Sequence, residues 1–266
     1  MSGNASARLR VATYNVRSCR GIDGRRSEQR IAEVIASLEV DVIGLQELDL
    51  GRRRSAGVDQ ATLIAEQLGW HRYFHAAMRV ADEHYGDAIL SRYPMQLRQA
   101  RELPSVMTRV CPESRAAIWV EIETPAGPVQ VINTHLGLGR RERLMQAQLL
   151  AGPEWLGSVQ PLDPLILMGD FNSLPGSPPF QLLTRQLRDT RTLISPPRKL
   201  RTFPTRFPAL AVDHIFVNER LHVNSVTVVR NAETRIASDH FPMVADLQTL
   251  RQSSAANEPG AKYSKA

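Results

Sequence analysis

Apolar residues along this chain recur with two different periods, and the difference sorts it into elements. Residues 9–14, 40–45, 85–91, 115–122, 129–135, 211–217, 222–230 and 241–250 are short runs, alternating or continuously apolar, that read as β-strands. Leu165, Ile166, Leu167 and Met168 follow one another with nothing polar between them, the pattern of a strand buried on both faces. Helical spacing appears instead over 25–38, where Ile31, Val34, Ile35 and Leu38 share one face. Helices are also predicted over 140–150, around 180–187, and from an Asp59 N-cap to Leu68, where Gly69 stops the last of these. Pro125-Ala126-Gly127-Pro128 separates two strands and predicts a hairpin. The stretch 185–206, rich in Arg, Pro and Thr, reads as a long exposed loop, and Pro175-Gly176-Ser177-Pro178-Pro179 as a rigid one. Strands outnumber helices and no linker divides them. The expected architecture is one α/β domain over residues 8–250, two packed sheets with outer helices. The small polar residues of 1–7 and 251–266 are expected to be disordered.

The strands share a second feature. As each apolar run ends, the chain delivers a residue suited to metal ligation or proton transfer: Asn15, Glu47, His135, Asp170 with Asn172, Asp213 with His214, and Asp239-His240. Taken alone, Asp170 and Asn172 serve equally as an Asx-turn or as a pair addressing one target from the same side of an extended strand. Repetition at strand after strand favours a common rim where the groups converge. Carboxylate and carboxamide oxygens are hard ligands that suit Mg²⁺ or Mn²⁺. Histidines beside carboxylates are candidate acids or bases. Such a set fits metal-assisted phosphoester hydrolysis. A Ser or Cys nucleophile has less support, because no nucleophile-elbow motif is present.

Composition narrows the partners only a little. The chain has 266 residues, with 33 Lys and Arg against 27 Asp and Glu, a net +6. That favours acidic partners such as nucleic acid, phosphorylated small molecules or anionic lipid surfaces. Arg52-Arg53-Arg54 and the arginines of 185–206 are candidate phosphate-tracking positions for nucleic acid. A lipid substrate would call for an exposed aromatic hairpin; the nearest cluster, Trp70, Tyr73 and Phe74, reads as core. Cys19 and Cys111 form neither a disulfide scaffold nor a zinc cluster. No apolar run approaches the roughly 20 residues that cross a bilayer, and no secretory signal is read at the start. A cytoplasmic monomer is the expectation.

Six ordered motifs carry a resemblance: Thr13-Tyr14-Asn15-Val16, Asp41-Val42-Ile43-Gly44-Leu45-Gln46-Glu47, Asn133-Thr134-His135-Leu136, Gly169-Asp170-Phe171-Asn172, Asp213-His214-Ile215-Phe216-Val217 and Ser238-Asp239-His240-Phe241-Pro242. Together they resemble the endonuclease/exonuclease/phosphatase superfamily, which includes pancreatic-type deoxyribonucleases, apurinic endonucleases, neutral sphingomyelinases and inositol polyphosphate 5-phosphatases. The resemblance implies a four-layer α/β sandwich with the site at one end of the paired sheets. It implies Glu47 as principal metal ligand, with Asn15 and Asp239 contributing. It implies Asp170 acting on the attacking water, Asn172 holding the phosphate or Asp170, and His240, paired with Asp213, on the scissile phosphate. His135 matches an additional histidine that is a candidate acid for the leaving oxygen, with Asp87 near the position of its carboxylate partner. Arg115 resembles a phosphate-contacting arginine. His214 stands where Tyr is more usual and carries no implied role. The first motif departs from the apurinic endonuclease type, and His135 with Asp87 favours a phosphodiesterase acting on nucleic acid or a phospholipid-type substrate. A catalytically silent binding module is the contrasting reading.

Overall fold

The computed structural model describes residues 8–106, 113–196 and 200–250. Its strands are β1 (Arg8–Asn15), β2 (Val42–Leu50), β3 (His71–Val80), β4 (Glu83–Ser91), β5 (Met95–Glu102), β6 (Ala116–Thr124), β7 (Gly127–His135), β8 (Leu165–Asp170), β9 (Arg188–Asp189), β10 (Asp213–Val217), β11 (Leu221–Val228) and β12 (Met243–Thr249). They form two mixed six-stranded sheets, in the orders β11-β12-β1-β2-β4-β3 and β5-β6-β7-β8-β10-β9. The helices are α1 (Glu28–Ser37), α2 (Gln60–Leu68), α3 (Arg140–Leu150), α4 (Pro178–Leu183) and α5 (Ala232–Ala237). Ser27 accepts a hydrogen bond from the Arg30 amide and Asp59 one from the Thr62 amide, so α1 and α2 start at side-chain caps.

Side-chain alternation assigns each residue to a layer. In β1, Leu9 and Val11 fill the space between the sheets, whereas Ala12 and Tyr14 face α1 and α2. In β8, Ile166 and Met168 join the inter-sheet core, whereas Leu165 and Leu167 pack under α3 and α4. The result is helix, sheet, sheet, helix. Alternation has a period of two, so continuing the inward parity to the strand ends gives Asn15 on β1, Asp87 on β4, His135 on β7, Asp170 on β8 and Asp213 on β10. Directly paired neighbours bring three of these into a row: His135 beside Asp170 across β7 and β8, and Asp170 beside Asp213 across β8 and β10. Gly169 lets β7 and β8 lie together there, since a Cβ on it would meet the Thr134 carbonyl oxygen at 1.9 Å.

Several expectations are corrected. The 185–206 stretch is not a long exposed loop: among its described residues Asp189, Thr190, Arg191, Thr202 and Thr205 are buried, and β9 pairs with β10. The Pro-rich segment does not stay a loop, because Pro178 and Pro179 open α4, where a missing N–H costs nothing. Helix α4 accordingly starts before the predicted 180 and ends at Leu183. Strand β5, an edge strand whose residues are all exposed or half-buried, has no clear apolar alternation and was not anticipated. Neither was α5, whose Asn231 capping box and short length leave little periodicity to read. Trp70 and Phe74 pack on the core beneath α1 and α2, as expected. Cys19 is buried, and Cys111 lies outside the described residues, as do 1–7 and 251–266.

Candidate active site

The polar strand ends meet around one carboxylate. Asp170 Oδ1 accepts from the Asn172 amide at 2.9 Å, the bond of an Asx-turn, while Oδ2 accepts from Asn15 Nδ2 at 3.1 Å. Turn and site are therefore one construction. The same Oδ2 lies 3.6 Å from His135 Nε2 and 3.7 Å from His240 Nε2. Asn172 does not reach this centre by strand alternation, for its φ of 47° turns it into the left-handed region. From there its Nδ2 donates to the Leu136 carbonyl at 2.9 Å and approaches His135 Nε2 at 3.1 Å.

Glu47 arrives by a device of its own. The register of β2 against β4 shifts between Leu45 and Leu48, and Glu47 sits in this irregularity with φ of 64°. Leu45 and Leu48 both stay under the helices, so the bulge turns Glu47 toward the inter-sheet side. Its carboxylate accepts from Asn15 Nδ2 at 2.9 Å, and its amide donates to Asp87 Oδ1 at 3.3 Å. Beneath, Gln46 Nε2 donates to Asn133 Oδ1 at 2.8 Å across the sheets, and Asn133 donates to the carbonyls of Leu45 and Ala88. These buried bonds lock the bulge between β2 and β4.

His240 and Asp213 form a buried pair, with Nδ1 of the imidazole 2.9 Å from Asp213 Oδ2. Burial works against the imidazolium, yet Asp213 and then Asp170 outweigh it and lift His240 to about 10. Phe203 lies on the ring at a centroid distance of 4.6 Å. Burial, reinforced by Asp213, pushes the Asp170 carboxyl up to about 7. Asp239 is partly exposed; its carboxylate is 3.3 Å from Arg17 Nε, and its carbonyl accepts from the Thr205 amide. Ser238 Oγ ties this segment to the Asn15 carbonyl at 2.8 Å.

One expected pairing is not made. Asp87 makes no hydrogen bond to His135; Arg115 Nη1 stands 3.3 Å from His135 Nδ1 instead. A guanidinium only donates, so Nδ1 is the acceptor there. Asn172 Nδ2 turns a donor toward Nε2 as well, but Asp170 Oδ2, 3.6 Å from Nε2, is the acceptor the site offers the ring. The neutral imidazole therefore places its proton on Nε2 toward Asp170. Burial, then Arg115 and His240, hold His135 well below the usual imidazole range. Burial likewise lifts Asp87 to about 7, although Arg115 pulls it back. His214, one residue out of parity, points under α4 rather than into the site: its Nε2 donates to the Ser173 carbonyl at 2.7 Å and its Nδ1 accepts from Arg191. Arg17 and Phe203 were missed from the sequence. Neither ends a strand, and only the fold brings them to Asp239 and His240.

The basic loop is largely neutralised from within. Arg54 pairs with buried Asp49 at 2.7 Å, and Arg52 and Arg53 approach Glu83 at 3.5 and 3.8 Å, Arg53 being the most exposed of the three.

The profile of the Endonuclease/Exonuclease/phosphatase family matches residues 12–240, which spans every strand end just described. The chain belongs to that family. Its members hydrolyse phosphoester bonds and are generally dependent on a divalent metal. An uncharacterized Escherichia coli protein, YbhP, is 31% identical over 181 residues, 67% of this chain and 69% of that one. A family structure from Beutenbergia cavernae superposes with a TM-score of 0.74 at 24% identity, covering 91% of this chain and 72% of the other. The mannosyl-6-phosphatase Bt3783 of Bacteroides thetaiotaomicron does so at 0.71 and 22% identity, covering 90% of this chain and 99% of the other. These likenesses support the four-layer fold. Among the described residues no helix is long and apolar enough to cross a membrane.

Two groups of residues suit a divalent cation. Asp170, Asp213 and His240 offer ligand atoms within 4.8 Å of one another. Glu47 and Asp239 offer carboxylate oxygens, with Asn15 beside them presenting its Nδ2 to Glu47 and its Oδ1 to the Arg17 amide at 3.1 Å. The first group is tied internally: His240 Nδ1 lies 2.9 Å from Asp213 Oδ2, and the Asp170 oxygens accept from Asn172 and Asn15. The second fits better: among the described residues the Glu47 carboxylate has Asn15 as its one hydrogen-bond partner, and Asp239 is partly exposed.

Proposed function

We propose that this protein is a Mg²⁺- or Mn²⁺-dependent phosphodiesterase, with the cation held by Glu47 and assisted by Asn15 and Asp239. The observation that carries the reading is the position of Asp170 Oδ2, hydrogen-bonded to Asn15 and flanked by His135 and His240 at 3.6 and 3.7 Å. When bound, the cation supplies positive charge to a phosphate oxygen and so favours attack at phosphorus.

The remaining work falls to side chains. Asp170, lifted to about 7 by burial and Asp213, has the basicity to accept a proton from the attacking water near neutral pH. His240, kept protonated by Asp213, presents Nε2–H to the phosphate and stabilises charge that grows in the transition state. Asn172 fixes Asp170 through its amide and offers its carboxamide to the phosphate. Neutral His135 donates from Nε2, with Arg115 holding its tautomer from the other side. That differs from the proton-donor role the resemblance implies, since Arg115 replaces the carboxylate that would stabilise an imidazolium. Phe203 covers His240 and limits the access of water to the ion pair.

The test is release of p-nitrophenol from bis-p-nitrophenyl phosphate. Mg²⁺ or Mn²⁺ should support it, EDTA should abolish it, and Glu47→Ala should raise the metal concentration needed for half-activation more than tenfold. Absence of turnover with either metal would favour the silent binding module. Full activity in Asp170→Asn would refute the assignment of the base.

A further inference from the structure

Exposed apolar residues are scattered singly over most proteins and mean little. Here four of them stand on loops at the catalytic rim. Leu138, 56% exposed, lies three residues beyond His135. Leu174, 47% exposed, lies two residues beyond Asn172. Phe207, 80% exposed, and Leu210, 38% exposed, lie on the loop that enters β10. Strands β7, β8 and β10 are adjacent, so the three loops follow one another along a single edge of the site. The Phe207 loop is built into the centre: its Thr205 amide donates to the Asp239 carbonyl, its Phe203 covers His240, and Arg235 holds the Thr205 carbonyl. Phe207 is therefore presented outward on a well-anchored loop.

Cations accompany the apolar residues. Arg140, Arg141 and Arg206 are exposed, and none forms an ion pair among the described residues. Arg140 and Arg141 open α3, which has no side-chain cap. Positive charge at a helix N-terminus opposes the dipole and costs about 0.3–1 kcal/mol, so helix stability does not explain these two arginines. An anionic surface facing the rim does. A nucleobase platform would need aromatic faces, whereas this rim is three leucines and one phenylalanine. Apolar side chains interleaved with arginines are the chemistry of the bilayer interface, where hydrocarbon inserts below the headgroups and cations meet their phosphates.

We infer that the catalytic rim docks on an anionic phospholipid surface, with Phe207, Leu138 and Leu174 inserting and Arg140, Arg141 and Arg206 binding headgroups, so that the diester presented to the site is that of a membrane phospholipid. The inference rests on the phosphodiesterase reading for the identity of the bond but not for the docking itself.

The intact protein would be sedimented with vesicles of phosphatidylcholine alone and of phosphatidylcholine with phosphatidylglycerol. Partition should favour the anionic vesicles and weaken with salt. Loss of one inserted side chain weakens partition by about tenfold, so Phe207→Ser with Leu174→Ser should lower it by about a hundredfold. The double variant should still hydrolyse bis-p-nitrophenyl phosphate at the wild-type rate, which shows that it is folded. Arg140→Ala with Arg141→Ala should lose the preference for anionic vesicles while keeping the residual binding to phosphatidylcholine. Wild-type partition in the Ser variant, or no partition onto either vesicle, would overturn docking. So would a Ser variant whose only loss is plasmid DNA binding, which would point to nucleic acid. Vesicle binding without diester turnover would leave docking intact and count against the phosphodiesterase reading instead.

Discussion

His240 and His135 are both buried and both face Asp170 Oδ2, yet the fold drives their protonation in opposite directions. His240 rests on Asp213 and is lifted to about 10. His135 rests on Arg115 and is held well below the usual range. Distance from Asp170 does not separate them, at 3.7 and 3.6 Å. The partner on the far ring nitrogen does. Two chemically identical side chains become a fixed cation and a fixed neutral donor through what stands behind them, a division of labour that pairs of titratable groups commonly provide in catalytic sites.

Removing the cationic member should have the greatest effect. His240→Ala is expected to lower kcat on bis-p-nitrophenyl phosphate by about 10³- to 10⁴-fold, with Asp170→Asn comparable. Asp213→Asn keeps the ring but withdraws the charge behind it. It should cost about 10²-fold and move the alkaline limb of the pH–rate profile to lower pH, since His240 then loses its proton sooner. An unmoved limb would mean that Asp213 does not set the state of His240. Arg115→Met breaks the other half of the comparison. His135 should titrate closer to its ordinary value of about 6.5, followed by NMR, with a rate loss of about tenfold.

The smallest effect is on stability, and its sign differs between the two rings. The folded value for His240 lies above that of an unfolded histidine, so its contribution is complete below about pH 6.5 and is lost as pH rises toward about 10. For His135 the folded value is lower. The unfolded chain takes up the proton first, and stability falls as pH drops below about 6.5. Urea unfolding of wild type, His240→Gln and His135→Gln between pH 5.5 and 9.5 should give wild-type-minus-variant differences of opposite slope, each at most about 1.4 kcal/mol per pH unit.

The comparison also marks what sequence could reveal. Asn15, His135, Asp170 and Asp213 were legible because each continues a strand parity whose earlier members are apolar, and the same parity turns His214 away from the site. Glu47 was named from its motif, but its route into the centre is a backbone bulge that alternation cannot show. Asn172 was placed by an extended-strand argument and arrives through a left-handed turn. The exchange of Asp87 for Arg115 behind His135 follows from the β6–β7 hairpin register, which sets Ala117 opposite Thr134 and so carries Arg115 to the end of β7; the hairpin was legible, its register was not. The 185–206 stretch misled because arginine and proline are common in loops, whereas Arg191 is buried on Asp189 at 2.9 Å. Phe207 carried no signal beyond its type, and only the anchoring of its loop at Asp239 and His240 makes its exposure informative.

The opposite protonation of the two rings is directly observable. Long-range ¹H–¹⁵N correlation of the side-chain imidazoles in the wild-type protein at pH 7.5 should show His240 with protons on both nitrogens and His135 with one, on Nε2. A singly protonated His240, or a His135 protonated on both nitrogens or on Nδ1 alone, would contradict it.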